Sequence, residues 1–270
     1  MPDFCLSLSS IPGQPELPER LSTAARLGFD AVEIGCPYDI SKERVAEYAR
    51  GNGLSVVVLD LCDDESLSSD PARGAAFRRV TRRAVDYAQA LGALHLRFPA
   101  HLPPATRAGK PLRETLVRNL RFAAETGLSA NIRILLDPRG EIEGAGARTV
   151  DAITMINEIG ARNLSLLCDV GRMQGAGESV ADVLERFLPR IGHLRVPDFG
   201  AGGPETRGLE RDTLLSFIDA VGYRGWIGCG GESFATSAPA WLTPYLMRTS
   251  RTSLWGLPRE AFKSTVPVGR

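Results

Sequence analysis

Short runs of aliphatic and β-branched residues alternate along this chain with longer stretches whose apolar positions recur every three to four residues. The first pattern predicts strands buried on both faces and the second amphipathic helices; their alternation predicts parallel strands joined by crossover helices. Strands are expected at FCLSLS (4–9), AVEIG (31–35), SVVVLDL (55–61), LHLRF (94–98), RILLD (133–137), LSLLCD (164–169), HLRV (193–196) and WIGC (226–229). Helices are expected within ELPERLSTAARLG, KERVAEYARGNG, residues 72–91, ETLVRNLRFAAETG, TVDAITMINEIG, VADVLERFLPR, RDTLLSFIDAVG and finally 238–247. Each puts apolar residues on one side, and Gly or Pro punctuates the ends. Eight such pairs predict the α/β class and a single closed (β/α)8 TIM barrel over residues 1–248. Residues 249–270 carry no periodicity and contain Pro258 and Pro267, so they are read as a C-terminal tail. Its Trp255 and Phe262 are suited to packing on a neighbouring subunit or on the tail's own barrel, which leaves a homo-oligomer open.

Composition narrows the partners. With 43% apolar residues in 270, the chain can bury a large core. Lys plus Arg and Asp plus Glu number 32 each, so no overall field draws the protein to nucleic acid or to an anionic membrane. No apolar run is long enough to span a bilayer, and the N-terminus lacks a basic start followed by an apolar stretch; a cytoplasmic location is expected. The five cysteines are odd in number and lie in or beside strand-like segments, which argues for small buried hydrophobes over a disulfide framework. Cys36 and Cys62, near the ends of neighbouring strands, are the two placed to act as a nucleophile.

In this architecture the active site is built at the C-terminal ends of the strands. The polar residues falling there are Glu33, Asp60, Arg97, His101, Asp137, Asp169, Arg172, His193, Arg195, Asp198 and Glu232. Glycine clusters at 199–208 and 229–233 follow strands seven and eight, where barrels often cradle phosphate, although plain loops have the same composition.

The segments LGFDAVEIGCPYD, ILLDPRG, LCDVGRMQ, IGHLRVPD and GYRGWIGC occur in register, and together the chain from about residue 4 to 232 resembles the hydroxypyruvate isomerase group of xylose-isomerase-like barrels. The resemblance implies a Mn²⁺ or Mg²⁺ site made by Glu, Asp, Gln and Glu on strands five to eight, the two Glu also serving as acid and base on a 2-hydroxycarbonyl substrate. The matching positions here are Asp137, Asp169, Arg195 and Gly230. Asp137 is one methylene shorter than Glu, roughly 1.5 Å against a ligand-distance tolerance of about 0.2 Å. Glu232, two residues after Gly230, is the candidate replacement for the missing carboxylate. Arg97 and Arg172 stand where the group has histidines. A guanidinium cannot ligate a cation but matches a carboxylate bidentately.

These departures predict that no cofactor is needed, with Mn or Mg bound by Asp137 and Asp169 only if the metal site survives. Arg195 is expected to supply the missing positive charge by pairing with Asp137 and Asp169. Catalytic candidates are Asp137, Glu232 and His193; Arg97, His101, Arg172, Arg195 and Glu33 are expected to contact a small anionic substrate. The reaction expected is proton transfer next to a carbonyl, as in an isomerase or epimerase, with a lyase or dehydratase on a similar substrate as a variant. A second reading is a non-catalytic relative that binds a small anion or a protein partner. A related abasic-site endonuclease is disfavoured by only three histidines and a net charge of zero.

Overall fold

Eight parallel strands close on one another in chain order in the computed structural model. They are β1 (Asp3–Ser7), β2 (Ala31–Ile34), β3 (Ser55–Asp60), β4 (His95–His101), β5 (Arg133–Arg139), β6 (Leu164–Asp169), β7 (Ile191–Arg195) and β8 (Trp226–Cys229), with β8 pairing back onto β1. The crossovers carry α1 (Leu17–Arg26), α2 (Lys42–Gly51), α3 (Gly74–Leu91), α4 (Lys110–Ser129), α5 (Thr149–Ile159), α6 (Val170–Gly175), α7 (Val180–Phe187) and α8 (Arg211–Ala220). The structure describes residues 2–13, 16–61, 64, 66–102, 109–139, 149–199, 211–234 and 237–247. The tail at 249–270, Cys62 and the glycine cluster from 200 onward lie outside the described residues.

The predicted (β/α)8 barrel is therefore present, with shifts of one or two residues at the ends of β1, β2, β3 and β7 and the following further departures. β4 and β5 run past the expected ends to His101 and Arg139, carrying Pro99 and Pro138 within the strands. Proline lacks a ladder donor and reads as a strand stop, yet the partner strand here tolerates it. α4 starts at Lys110, with Pro111 in its first turn where a missing N–H costs nothing. α6 was not expected; Asp169 caps it, its Oδ1 accepting from the Arg172 backbone N–H at 3.1 Å. In place of a helix over 238–247 there is a 3-10 turn, Ala240–Leu242, followed by a helical stretch at 243–247.

Alternation along each strand divides the core in two. One set, including Phe4, Leu6, Leu96, Phe98, Ile134, Leu136, Leu166 and Ile227, faces outward and packs under the helices. In α3, for example, Phe77, Ala84, Val85 and Ala88 share one stripe, and the Phe77 ring lies 5.3 Å from that of Phe98. The other set, Cys5, Ala31, Val57, Val58, Leu135 and Leu167, forms a small apolar plug inside the barrel. Above this plug the inward positions turn charged, which places the polar layer at the C-terminal mouth.

The plug is tight at Gly192: a Cβ there would lie 2.7 Å from Leu135 Cδ2 and 2.9 Å from Ser165 Cβ. Gly192→Ala is expected to cost about 1–3 kcal/mol through overpacking, read as a lower urea midpoint with an unchanged slope.

Candidate functional site

Residues two apart on β5, Leu135, Asp137 and Arg139, point inward together, so the strand that supplies the plug also lifts a carboxylate and a guanidinium above it. Asp137 is fully buried. Its Oδ2 accepts from Arg97 Nε of β4 at 2.7 Å, and its Oδ1 accepts from Arg172 Nη2 of α6 at 2.6 Å. Arg139 Nε adds a third cation at 3.3 Å. Arg97 reaches to β3 as well, donating through Nη1 to Asp60 Oδ2 at 2.6 Å. Arg172 closes the other flank, with Nε 3.0 Å from Asp169 Oδ2.

A second cluster stands beside the first. Glu33 of β2, only 2% exposed, reaches past β1 and β8 toward β7. There its Oε2 lies 2.6 Å from Arg195 Nη2 and its Oε1 lies 2.5 Å from His193 Nε2. Burial raises the Glu33 pKa, but the Arg195 charge and the His193 hydrogen bond outweigh it and hold the carboxyl well below the usual range. An ionised carboxylate only accepts, so His193 Nε2 carries the proton in this bond. Arg195 is likewise disfavoured as a cation by burial, then held more firmly protonated by Glu33, Asp60 and Asp137.

Asp137 follows the same logic: burial pushes its pKa up, and Arg97, Arg172 and Arg195 bring it down below its ordinary value. Asp60 goes the other way. Burial wins over Arg97 there, so its carboxyl sits above the ordinary range. His95, under the charged layer with its ring centroid 6.2 Å from that of His193, is kept neutral by burial and by the neighbouring His193 and Arg133.

Several expectations need correcting. Arg195 does not pair with Asp137 and Asp169; its contact is Glu33, although its charge still acts on Asp137 through space. Arg97 and Arg172 take Asp137 instead, because β4 and α6 bring their guanidiniums to its two oxygens. Glu33, expected to touch substrate, is enclosed with both oxygens engaged. His193, expected as an acid/base group, is fully buried behind it. Arg97, expected on substrate, is 6% exposed and spans two carboxylates. Arg172 and Arg195 remain partly open at 32% and 15% side-chain exposure, and His101 is half-buried at the end of β4, beside Arg139 in the register. Glu232 opens a short 3-10 turn after β8 and is exposed.

Three participants went unread in the sequence: Arg139, Gly228 and Ser10. Arg139 was signalled by the alternation R-x-L-x-D-x-R, hidden by Pro138. Gly228 and Ser10 carried no local signal. Ser10 occupies the volume that a side chain at position 230 would take: a Cβ on Gly230 would lie 2.0 Å from Ser10 Oγ, which donates to the Ser7 carbonyl. Cys36 lines a cleft of about 260 Å³ with Ser9, Arg20 and Asp39, with no histidine among the lining residues to activate its thiol.

The residues at the mouth do not fit a divalent cation. Both oxygens of Asp137 are taken by guanidiniums, and a cation beside it would sit among Arg97, Arg139, Arg172 and Arg195. Cys5, Glu33 and His193 bring three donor atoms within 4.8 Å of one another. That cluster also fits poorly, since Arg195 occupies Glu33 and burial holds the Cys5 thiol protonated.

A (β/α)8 barrel with a layer of charged side chains at the C-terminal ends of its strands has the layout in which barrel enzymes place their active sites. Residues 21–245 match the family described as xylose isomerase-like TIM barrel. The chain is 28% identical over 254 residues to hydroxypyruvate isomerase of Escherichia coli, covering 90% of this chain and 98% of the relative. It is 31% identical over 264 residues to 2-oxo-tetronate isomerase of Cupriavidus necator, covering 92% and 100%. Among solved structures, that of an AP endonuclease, family 2, from Brucella melitensis superposes with a TM-score of 0.79 at 23% identity over 91% of this chain and 99% of that one, a likeness of fold alone. The chain belongs to the xylose isomerase-like TIM barrel family as a hydroxypyruvate isomerase-like member, an enzyme of the isomerase class. No helix among the described residues is long and apolar enough to cross a membrane.

Asp137→Asn leaves three guanidiniums facing one another in a buried layer and is expected to cost about 3–5 kcal/mol in denaturant unfolding. Stability should also fall on acidification in two stages. Below about pH 6.5 the unfolded chain protonates His95 while the fold keeps it neutral. Below about pH 4 it protonates Glu33 and Asp137, whose folded pKa values are depressed; Asp60, shifted upward, opposes this as pH falls from its raised folded pKa to its ordinary one. Thermal midpoints across pH 3–8 should show both stages, and His95→Gln should flatten the upper one.

Proposed function

We propose that this isomerase moves a proton at the carbon next to the carbonyl of a small 2-hydroxycarbonyl acid, with guanidiniums in place of a divalent metal. The observation that carries this reading is the set of partly open cations, Arg139, Arg172 and Arg195, at the strand ends of a family whose named relatives act on hydroxypyruvate and 2-oxo-tetronate. Among the described residues, Arg172 Nη1 and Arg195 Nε are buried without a hydrogen-bond acceptor. Each guanidinium thus keeps hydrogen-bonding capacity beyond its carboxylate partners, which suits a charge network completed by an anionic ligand at the mouth.

In this reading Arg172, with Arg139 and His101 at its side, receives the substrate carboxylate. Arg195 faces the carbonyl oxygen. Glu232 takes the proton from the adjacent carbon: the C–H pair becomes the C=C of an enediolate, and the carbonyl oxygen gains the negative charge that Arg195 stabilises. The proton then returns to the neighbouring carbon as the hydroxyl proton passes between the two oxygens. Asp137, held ionised by its guanidinium partners, is a weak base; its part is to hold Arg97 and Arg172 in place. No cofactor enters the scheme.

The test is exchange of the substrate α-proton for deuterium in D₂O with hydroxypyruvate and 2-oxo-tetronate. Chelator should leave the rate unchanged, and Glu232→Gln should lower kcat by about 10²–10⁴-fold with the fold intact. Arg172→Gln should act mainly on KM, raising it about tenfold. Loss of exchange on chelation with recovery on adding Mn²⁺ would overturn the metal-free reading. Micromolar binding of both acids without exchange would instead support the non-catalytic relative, a reading favoured by the enclosure of Asp137 and Glu33.

A further inference from the structure

Glu33 and Arg195 come from strands three apart around the barrel, and their meeting depends on a residue of neither strand. Gly228 of β8 pairs with Arg195 on one side and with Cys5 on the other, so it lies between the two groups. A Cβ built there would fall 2.0 Å from Glu33 Oε1, 2.8 Å from its Cδ and 3.1 Å from Arg195 Cγ. The carboxylate therefore occupies the volume that any side chain at position 228 would take. From below, His193 holds that same Oε1 and leaves Oε2 to Arg195, and nothing in this cluster except Arg195 approaches the mouth.

We infer that Glu33, admitted by Gly228 and oriented by His193, is a positioning residue that aims the Arg195 guanidinium at the reacting oxygen. Long arginine side chains sample many rotamers, and a single fixed carboxylate holding one terminal nitrogen removes most of that freedom while leaving the remaining nitrogens for the ligand. The carboxylate does this without reaching substrate. The role deepens the metal-free reading above, because a mobile guanidinium could not stand in for a fixed cation.

The pairing can be read without activity. In wild-type protein labelled with ¹⁵N at arginine, Arg195, assigned by its loss in Arg195→Lys, should give resolved and slowly exchanging guanidinium signals. Glu33→Gln and Gly228→Ala should both broaden or abolish these signals while those of Arg97 persist. Glu33→Asp, which keeps the charge but falls a methylene short, serves the same comparison if either of the others fails to fold. In the exchange assay each variant should lose at least tenfold in kcat with KM within about twofold, and Glu33→Gln should cost nothing further in an Arg195→Met background. Arg195 signals unchanged in the variants, or an equal cost of Glu33→Gln in both backgrounds, would overturn the inference. A wild type that shows ordered Arg195 signals but no exchange would defeat the proposed reaction and leave the positioning role standing.

Discussion

Charges taken out of water must be matched, and that constraint governs the upper half of this barrel. Each buried ion costs several kcal/mol of lost hydration, while two opposite charges 4 Å apart return about 4 kcal/mol at an effective dielectric near 20. One partner barely suffices, so the layer is built with shared ones: Asp137 meets Arg97, Arg139 and Arg172, and Arg97 also serves Asp60. The four carboxylates Glu33, Asp60, Asp137 and Asp169 stand against the four guanidiniums of Arg97, Arg139, Arg172 and Arg195, which makes the layer formally neutral.

The same matching shapes the chemistry. A carboxylate held between guanidiniums is a good anchor and a poor base, and a guanidinium held by carboxylates is a fixed cation. Positive charge at the mouth is thus placed by the protein's own side chains, and it decreases in burial from Arg97 to the partly open Arg172. The apolar plug beneath makes these interactions stronger by excluding water from below. Fold and site are coupled through this layer: the strand pairing sets the distances, one ion pair ties β2 to β7 across the barrel, and Arg97 of β4 ties its two neighbours β3 and β5 together.

The architecture is legible in the sequence because each βα unit is a local pattern. Periodicities of two and of three to four residues are set by neighbours in sequence, and the expected β6 and β8 agree with the observed ones at both ends. Strand ends are not legible where a partner strand overrides a local rule, as at Pro99 and Pro138, and α6 gives no signal because six residues are too few to show a period. The polar residues at the strand ends were also legible, since the architecture assigns them a common location.

Sequence alone determined the barrel, the residue types at its mouth and the presence there of Arg97, Arg172 and Arg195. Which carboxylate meets which guanidinium was decided only by tertiary structure. Arg195 is aligned in register with Asp169 yet turns to Glu33, because the absent side chain of Gly228 opens that direction and Arg172 has already taken Asp169. Such a choice depends on volumes left empty by residues far apart in the chain, and no window of sequence contains both the gap and the group that fills it.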